Sequence, residues 1–124
     1  MQKIRLEDKF SAFQEHWSPK IIGELNGQHV KLVKFQGEFV WHHHANEDEL
    51  FLVVRGKFRL DYREPSGAEQ SLEVSAGEFV IVPRGIEHRP YAAEEVHVML
   101  FEPAGTLNTG SVQANLTVNT PERI

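Results

Sequence analysis

The sequence predicts one all-β domain, an antiparallel sandwich or barrel with a short helix at its N-terminus. Two observations favour this fold. From Ile21 onward, short runs rich in β-branched and aromatic residues alternate with glycine-containing turns at close intervals. Before them, apolar residues recur at helical spacing. The length of 124 residues allows one continuous hydrophobic core, so we expect a single domain.

The N-terminal segment has the spacing of an amphipathic helix. Leu6, Phe10, Phe13 and Trp17 follow one another at intervals of four, three and four residues, and Pro19 lies just beyond them. These intervals place the four side chains on one face, and the proline ends the helix. We expect the aromatic residues to pack in the core and assign them no function.

Turn residues divide the remaining chain into about seven strands. Asn26-Gly27 is the clearest turn, because both residues tolerate the positive φ angles of a tight hairpin. Such short connections favour antiparallel pairing. The further predicted turns are Gln36-Gly37, Arg55-Gly56, Pro65-Ser66-Gly67 and Ala76-Gly77.

The strands differ in how many faces they bury. Along residues 57–63, Phe58, Leu60 and Tyr62 alternate with charged residues, so one face meets the core and the other meets water. The run Leu50–Val54 is apolar on both faces, so its second face needs a cover from the helix, the tail or another subunit. We therefore expect a homodimer.

The chain beyond the last strand, Val96–Phe101, is expected to form an ordered loop and then a polar tail over the surface or a neighbouring subunit. No internal repeat or low-complexity stretch interrupts the sequence. The predicted organisation is an N-terminal helical segment at residues 1–19, a barrel at 20–102, and a loop and tail at 103–124.

Composition narrows the possible partners. The formal net charge of −5 and the sequence pI of about 5.8 oppose binding to nucleic acids and anionic membranes. The chain has no cysteine, so histidine and carboxylate are its strong metal donors. The N-terminus has no apolar signal region and no stretch reaches the ~18 apolar residues of a membrane span, so we expect a cytoplasmic protein.

One segment brings candidate metal ligands together. On an extended strand His42 and His44 share a face, while the intervening His43 points away. Glu49 follows on the face of Phe51. A buried carboxylate without a partner costs on the order of several kcal/mol, so a cation is the simplest compensation. The alternative is that the histidines are solvated or hydrogen-bonded barrel residues and that Glu49 caps a turn.

A second segment, Gly77–His88, predicts a strand, a turn at Pro83-Arg84-Gly85 and a histidine just beyond it. Proline fixes φ and glycine permits a tight bend, so together they can direct His88 into the barrel. Alone this is a weak signal. It gains weight because it lies one hairpin after the first cluster.

Together the two segments resemble the motifs of the cupin superfamily. Gly37–Gly56 reads G-x4-H-x-H-x4-E-x6-G, and Gly77–His88 reads G-x5-P-x-G-x2-H. Ala92 stands where the family often has Asn, and one spacer is a residue shorter than usual, but neither departure removes a ligand. The resemblance implies a jelly-roll barrel, or double-stranded β-helix, and extends to small single-domain cupins described as similar to mannose-6-phosphate isomerase. It also implies one divalent metal bound by His42, His44, Glu49 and His88.

The implied ligand set determines which metals the centre can bind and how many coordination positions stay open. Three neutral imidazoles and one carboxylate leave two positions open on a six-coordinate ion and accept Mn, Fe, Co, Ni, Cu or Zn. His97 can face the cavity as a base, although a satisfied core histidine is the alternative interpretation. The expected pocket for a small-molecule ligand consists of Val40, Phe51, Val53, Phe58, Tyr62 and His97.

Two classes of function fit these observations. The first is a divalent-metal-dependent enzyme that acts on a small oxygen-bearing substrate as an oxygenase, isomerase or decarboxylase, with catalytic residues that the sequence does not identify. The second is a non-catalytic module that binds a metal or a small ligand. A vestigial site is disfavoured because all four implied ligands are present. Protons compete for free imidazoles below about pH 6.5, so metal affinity should fall on acidification.

Overall fold

The computed structural model describes residues 1–124 and confirms the predicted all-β fold, with one five-residue helix and eight strands. Seven strands were expected, and the additional one has only two residues. The elements in chain order are α1 (Leu6–Phe10), β1 (Lys20–Leu25), β2 (Gln28–Glu38), β3 (Glu49–Arg55), β4 (Lys57–Arg63), β5 (Glu69–Ser75), β6 (Phe79–Val82), β7 (His88–Pro103) and β8 (Glu122–Arg123).

The long strand β7 joins two sheets into a jelly-roll barrel. Its first part pairs with β4, as at Tyr62 and His88, and its second part pairs with β3, as at Phe51 and Leu100. Along nearly its whole length it also pairs with β2. The main order is β5-β4-β7-β2-β1-β8, with β6 added outside β3. Sharing one strand in this way encloses a core between the two sheets.

The first predicted turn, Asn26-Gly27, is confirmed, whereas the second is not a turn. Asn26 and Gly27 both have positive φ, 51° and 76°, and Leu25 pairs with Gln28 across them. The predicted turn at Gln36-Gly37 is wrong, because both residues lie within β2. The pairing with β7 shifts register there, so Gly37, with φ of 83°, forms a bulge that bends the strand.

The N-terminal helix is shorter than its apolar spacing predicts. It ends at Phe10, and the predicted continuation to Trp17 is wrong. The backbone N–H of Trp17 donates to the carbonyl of Lys34 at 2.9 Å, and its indole N–H donates to that of Gln36 at 2.9 Å. Because strand β2 supplies these partners, Trp17 takes a positive φ of 59° that no helix allows. Phe13 and Trp17 are nevertheless buried, as expected.

The barrel interior is filled by aromatic and branched side chains from both sheets. Fourteen buried hydrophobic residues form the main core cluster. A smaller cluster of Phe10, Phe13 and Leu32 attaches the N-terminal segment to the outer face of the sheet. No helix of this chain has the length and apolarity needed to cross a bilayer.

The C-terminal segment 104–121 packs onto the barrel and is not a loose tail. Thr106 and Thr109 are buried, and Leu116 packs against the main core. Beyond the segment, β8 adds to the edge of β1 in parallel. The segment also contacts the backbone of His43, so it lies next to the histidine cluster.

Candidate metal centre

Backbone pairing brings the two histidine segments together. The N–H of His42 donates to the carbonyl of His88 at 3.1 Å, and the N–H of His88 donates to that of His42 at 2.8 Å. The N–H of Gly85 donates to the carbonyl of His44 at 2.8 Å, which attaches the Pro83–Gly85 turn to the same segment. The side chains of the two segments therefore converge at one end of the barrel.

Four potential ligands meet at this point. His42, His44, Glu49 and His88 are all buried, and one ligand atom from each lies within 4.8 Å of the others. Glu49 begins β3 and His88 begins β7, so both are held by rigid strands. This arrangement forms a group that can hold one metal ion.

Hydrogen bonds orient two of the imidazoles. Nδ1 of His42 lies 2.9 Å from the carbonyl of Val40, and Nδ1 of His88 lies 2.9 Å from the carbonyl of Ile86. A carbonyl accepts only, so Nδ1 must be the donor in both rings. The lone pair therefore resides on Nε2, which is the state in which a neutral imidazole binds a metal.

The remaining polar atoms at the centre fit a cation. Nε2 of His44, Oε1 of Glu49 and Nε2 of His88 are buried and have no hydrogen-bond partner. Oε1 of Glu49 lies 3.3 Å from Nε2 of His44 and 3.5 Å from Nε2 of His88. Buried polar atoms without partners are costly. A divalent ion between them would satisfy all three, and nitrogen and oxygen donors suit transition metals.

Burial and mutual contacts set the protonation of the group. Burial, reinforced by His88, lowers the pKa of His42 to about 3, so this ring is neutral. Burial alone would lower the pKa of His44, but contact with Glu49 and the charge of Glu49 raise it. Burial alone would raise the pKa of Glu49, yet its contacts with Glu102, His44 and His88 hold that pKa well below the usual range. Glu49 is therefore an ionised donor.

The Cupin domain family matches residues 29–102, which include all four of these side chains. The chain belongs to the cupin family. It is similar to a cupin-2 domain protein from Shewanella frigidimarina, which is 46% identical, with a TM-score of 0.75, over 81% of this chain and 93% of that one.

Two further relatives extend the comparison. Uncharacterized protein YdbB of Bacillus subtilis (strain 168) is 35% identical over 68 residues, which are 55% of this cupin and 57% of YdbB, so the match spans little more than half of that relative. The hydroquinone 1,2-dioxygenase PnpCD, crystallised with Fe3+, superposes with a TM-score of 0.75 at 18% identity over 84% of this cupin and 33% of that chain. That likeness shows the fold alone. Similarity to mannose-6-phosphate isomerase-like proteins stays a prediction.

Two charged residues beside the centre of this cupin were missed by the sequence analysis. Glu102 and Lys31 are each 1% exposed, and Nζ of Lys31 donates to Oε1 of Glu102 at 2.8 Å. Burial and the charge of Glu49 raise the pKa of Glu102 well above its usual range. Glu102 continues the inward-facing alternation of Val98 and Leu100, and this parity was the available signal.

A small cavity that is partly open to solvent lies next to the metal group of this cupin. His42 and Glu49 line it on one side. Its other walls include four aromatic rings, from Trp17, Phe35, Phe39 and Phe51. The cavity is therefore mainly apolar, with its polar donors at the metal group.

The residues predicted for the pocket lie in several places. Phe51 lines the cavity. Val53 and Phe58 are core residues, and Val40 packs against that core. Tyr62 lines a separate apolar cavity that includes none of the four ligands. Only Phe51 of these five therefore contacts the space beside the metal group.

The predicted place of His97 in the pocket is wrong. Val96 and Val98 point into the core, so His97 faces outward between them. Its ring stacks on Phe10 with centroids 4.4 Å apart, and its Nε2 lies 3.2 Å from Oε1 of Glu95. His97 therefore belongs to the contact between the N-terminal segment and the outer sheet face.

His43 lies out of phase with its neighbours, as its position between them predicts. Its Nδ1 lies 3.1 Å from the hydroxyl oxygen of Ser111, and its carbonyl accepts from the N–H of the same serine at 3.0 Å. His43 is not among the residues whose ligand atoms meet at the metal centre. It therefore provides a natural control for the other histidines.

Proposed function

We propose that this cupin is a divalent-metal-dependent enzyme that acts on a small oxygen-bearing substrate, by oxygenase, isomerase or decarboxylase chemistry. One observation carries the proposal: a buried group of three imidazoles and one carboxylate borders a cavity with aromatic walls. When bound there, a divalent transition metal (Mn, Fe, Co, Ni, Cu or Zn) would supply Lewis-acid or oxygen chemistry next to the cavity.

Polar and aromatic residues have different roles at the site. His42 and Glu49 belong to both the metal group and the cavity wall, so a ligand in the cavity lies against them. Trp17, Phe39 and Phe51 present apolar surface that excludes water and accepts a small organic molecule. The substrate therefore needs an oxygen donor at one end and a compact apolar body.

A specific observation favours a second candidate, a non-catalytic binding module. Besides His42 and Glu49, the polar side chain that lines the cavity is Asn108. Its amide donates to the carbonyl of Leu116 at 2.8 Å, and its side-chain oxygen accepts from the N–H of Val118 at 2.8 Å. Asn108 is thus occupied with the C-terminal segment, and the cavity wall offers no additional acid or base.

Turnover measurements separate the two candidates. Wild type, His44→Ala and His43→Ala would be loaded with Fe2+, Mn2+ or Ni2+ and incubated with dihydroxybenzenes, diketones and small organic acids, with oxygen uptake and product formation as the readouts. An enzyme turns over at least one compound in wild type and His43→Ala and loses that activity in His44→Ala. Metal-loaded protein that binds such compounds without converting any of them would contradict the enzyme and support the binding module.

A further inference from the structure

Lys31 and Glu102 are buried charges that the proposed function leaves without a role. Lys31 lies on the inward face of β2 with Val33 and Phe35, and Glu102 follows Leu100 on the inward face of β7. Charged residues are almost never fully buried unless they are paired. Their position inside the barrel therefore calls for a physical explanation.

Strand register places Glu102 against the metal group. Leu50 pairs with Phe101 and Phe51 pairs with Leu100, so continuing the register by one residue sets Glu49 opposite Glu102. Like charges directly opposite each other on neighbouring strands are destabilising. Two carboxyl groups in a dry interior thus need a proton or a positive charge between or beside them.

Lys31 supplies a positive charge on one side. Its Nζ donates to Oε1 of Glu102 at 2.8 Å and to the carbonyl of Thr106 at 3.4 Å. Oε2 of Glu102 is buried and has no hydrogen-bond partner, and the same is true of Oε1 of Glu49. Lys31 therefore fixes Glu102 from one side, while the metal group lies on the other.

We propose that Glu102, held in place by Lys31, is a positioning residue that fixes the Glu49 carboxylate in its metal-binding orientation. This inference rests on the proposed metal-dependent function. Carboxylates that bind metals are themselves held by neighbouring groups, and mutation of such neighbours typically costs about 10- to 100-fold in metal affinity. The pair thus acts on the metal through Glu49, without contributing a ligand atom.

The alternative is a purely structural ion pair that joins β2, β7 and Thr106. A structural pair affects the stability of the metal-free protein and leaves the metal environment alone once the variant is folded. A positioning pair alters the affinity for metal and the geometry around it. These two quantities can be measured separately.

The variants separate the effect of the Glu102 contact with Glu49 from the effect of the Lys31 charge. Glu102→Gln keeps the length and an oxygen for Lys31, whereas Glu102→Asp keeps a carboxyl group but shortens the side chain and so withdraws that group from Glu49. Lys31→Met removes the ammonium. Lys34→Met is the matched control, because Lys34 is also buried on β2 but donates to the carbonyl of Phe13 at 2.7 Å, outside the metal group.

The readouts are Zn2+ affinity by chelator competition, the visible spectrum of the Co2+ protein, and the melting temperature of the metal-free protein. We expect Glu102→Asp and Lys31→Met to bind Zn2+ about 10- to 100-fold more weakly with a changed Co2+ spectrum, and Glu102→Gln and Lys34→Met to stay within about threefold of wild type. Wild-type affinity and spectrum in Glu102→Asp would overturn the inference and leave the metal function intact. A wild-type protein that binds neither ion would overturn both.

Discussion

His44 and Glu49 form a close contact within the metal group. Oε1 of Glu49 lies 3.3 Å from Nε2 of His44. The contact with Glu49 and its charge raise the pKa of His44 above that of an ordinary imidazole. A metal must displace the proton of this ring before it can use the imidazole. Proton competition at His44 is therefore a property of the metal-free site.

Metal affinity should fall as pH is lowered, and the fall should begin above the ordinary imidazole pKa of about 6.5. The sign follows from His44: its pKa is raised, so protonation competes with metal at a higher pH than for a free ring. His42, with a pKa of about 3, adds no competition in this range. Zn2+ affinity measured between about pH 8 and pH 5 tests this. A flat profile would contradict the role of His44 as a ligand.

Asp61 is a further buried charge, on the opposite side of β4 from the core. Although its alternation predicts exposure to water, it is 6% exposed. Its carboxylate accepts from Arg59 at 2.8 Å, Ser71 at 2.8 Å and Arg89 at 3.0 Å. Burial alone would raise the pKa of Asp61, but these donors lower it.

Asp61→Asn should lower the free energy of unfolding by about 1.5–3 kcal/mol at neutral pH, because hydrogen bonds to a charged group are lost. The folded-state pKa lies below the unfolded value of about 3.9, so this stability is present above that value and disappears as pH falls through the folded pKa.

Urea unfolding at about pH 7 and about pH 2.5 measures the difference. Glu73→Gln is the control, since Glu73 lies on the neighbouring strand and pairs with Lys57 at 3.8 Å in an exposed position. The two variants should differ at neutral pH and converge in acid. Equal stability of Asp61→Asn and wild type at neutral pH would show that the Arg59 and Arg89 contacts contribute nothing.

At the scale of the structural elements, the C-terminal segment packs against the histidine segment of the metal group. A Cβ atom on Gly110 would lie 2.2 Å from the carbonyl oxygen of His43 and 3.2 Å from Cδ2 of His42. Gly110 also has a positive φ of 54°. Only glycine therefore allows the segment to lie against the histidines.

Gly110→Ala should displace this segment and lower the free energy of unfolding by about 2–4 kcal/mol, because the clash is with backbone that cannot rotate away. Gly105→Ala is the matched control: it lies in the same segment with φ of 90° and has nothing within 4 Å of its Cβ position. Thermal unfolding of both variants gives the loss of stability in each. The cost of positive φ is common to both, so the difference between them measures the clash. Equal destabilisation would show that the close approach is unimportant.

The sequence predicted those elements whose geometry is local. His42 and His44 share a face because two residues on one strand suffice to define it, and Asn26-Gly27 needs only its own φ angles. The predicted helix was too long because Trp17 donates hydrogen bonds to two carbonyls of β2, which are distant in sequence. His97 was given the wrong face because β7 has apolar residues on both sides, so alternation alone could not choose the core.

Glu102 shows the limit of the same reasoning within the metal site. Its place opposite Glu49 depends on the register of β3 on β7, which shifts between Val53 and Arg55 and is not encoded in either strand alone. Its partner Lys31 lies on a third strand. The parity of Val98 and Leu100 indicates that Glu102 faces inward, but its contacts with Lys31 and Glu49 emerge only from the assembled barrel.

At the scale of the assembled protein, the outer face of β3 and β6 is apolar and uncovered by this chain. Phe79 and Ile81 are 62% and 53% exposed, next to the half-buried Leu50 and Leu52. Phe10 of the N-terminal segment packs farther along the sheet, on Leu32 of β2. The helix and the C-terminal segment, two of the three predicted covers, therefore leave the exposed Phe79 and Ile81 uncovered.

We expect a homodimer that buries this face, because exposed apolar patches of this kind mark association surfaces and a twofold interface uses the same patch twice. Phe79→Lys combined with Ile81→Lys should produce a monomer in analytical ultracentrifugation. Leu25→Lys, an exposed apolar residue at the first hairpin, should leave the dimer unchanged. A wild-type monomer, or a dimer that survives the double substitution, would contradict this surface.

The metal content of purified, untagged protein tests whether the histidine cluster is a metal centre. Wild type, His43→Ala, His44→Ala and Glu49→Ala would be analysed by elemental mass spectrometry, with folding checked by circular dichroism. We expect close to one transition metal per chain in wild type and His43→Ala, and loss of metal in folded His44→Ala and Glu49→Ala. Absence of metal from all four proteins, even after incubation with Mn2+, Fe2+, Ni2+ and Zn2+, would contradict a metal centre in this barrel.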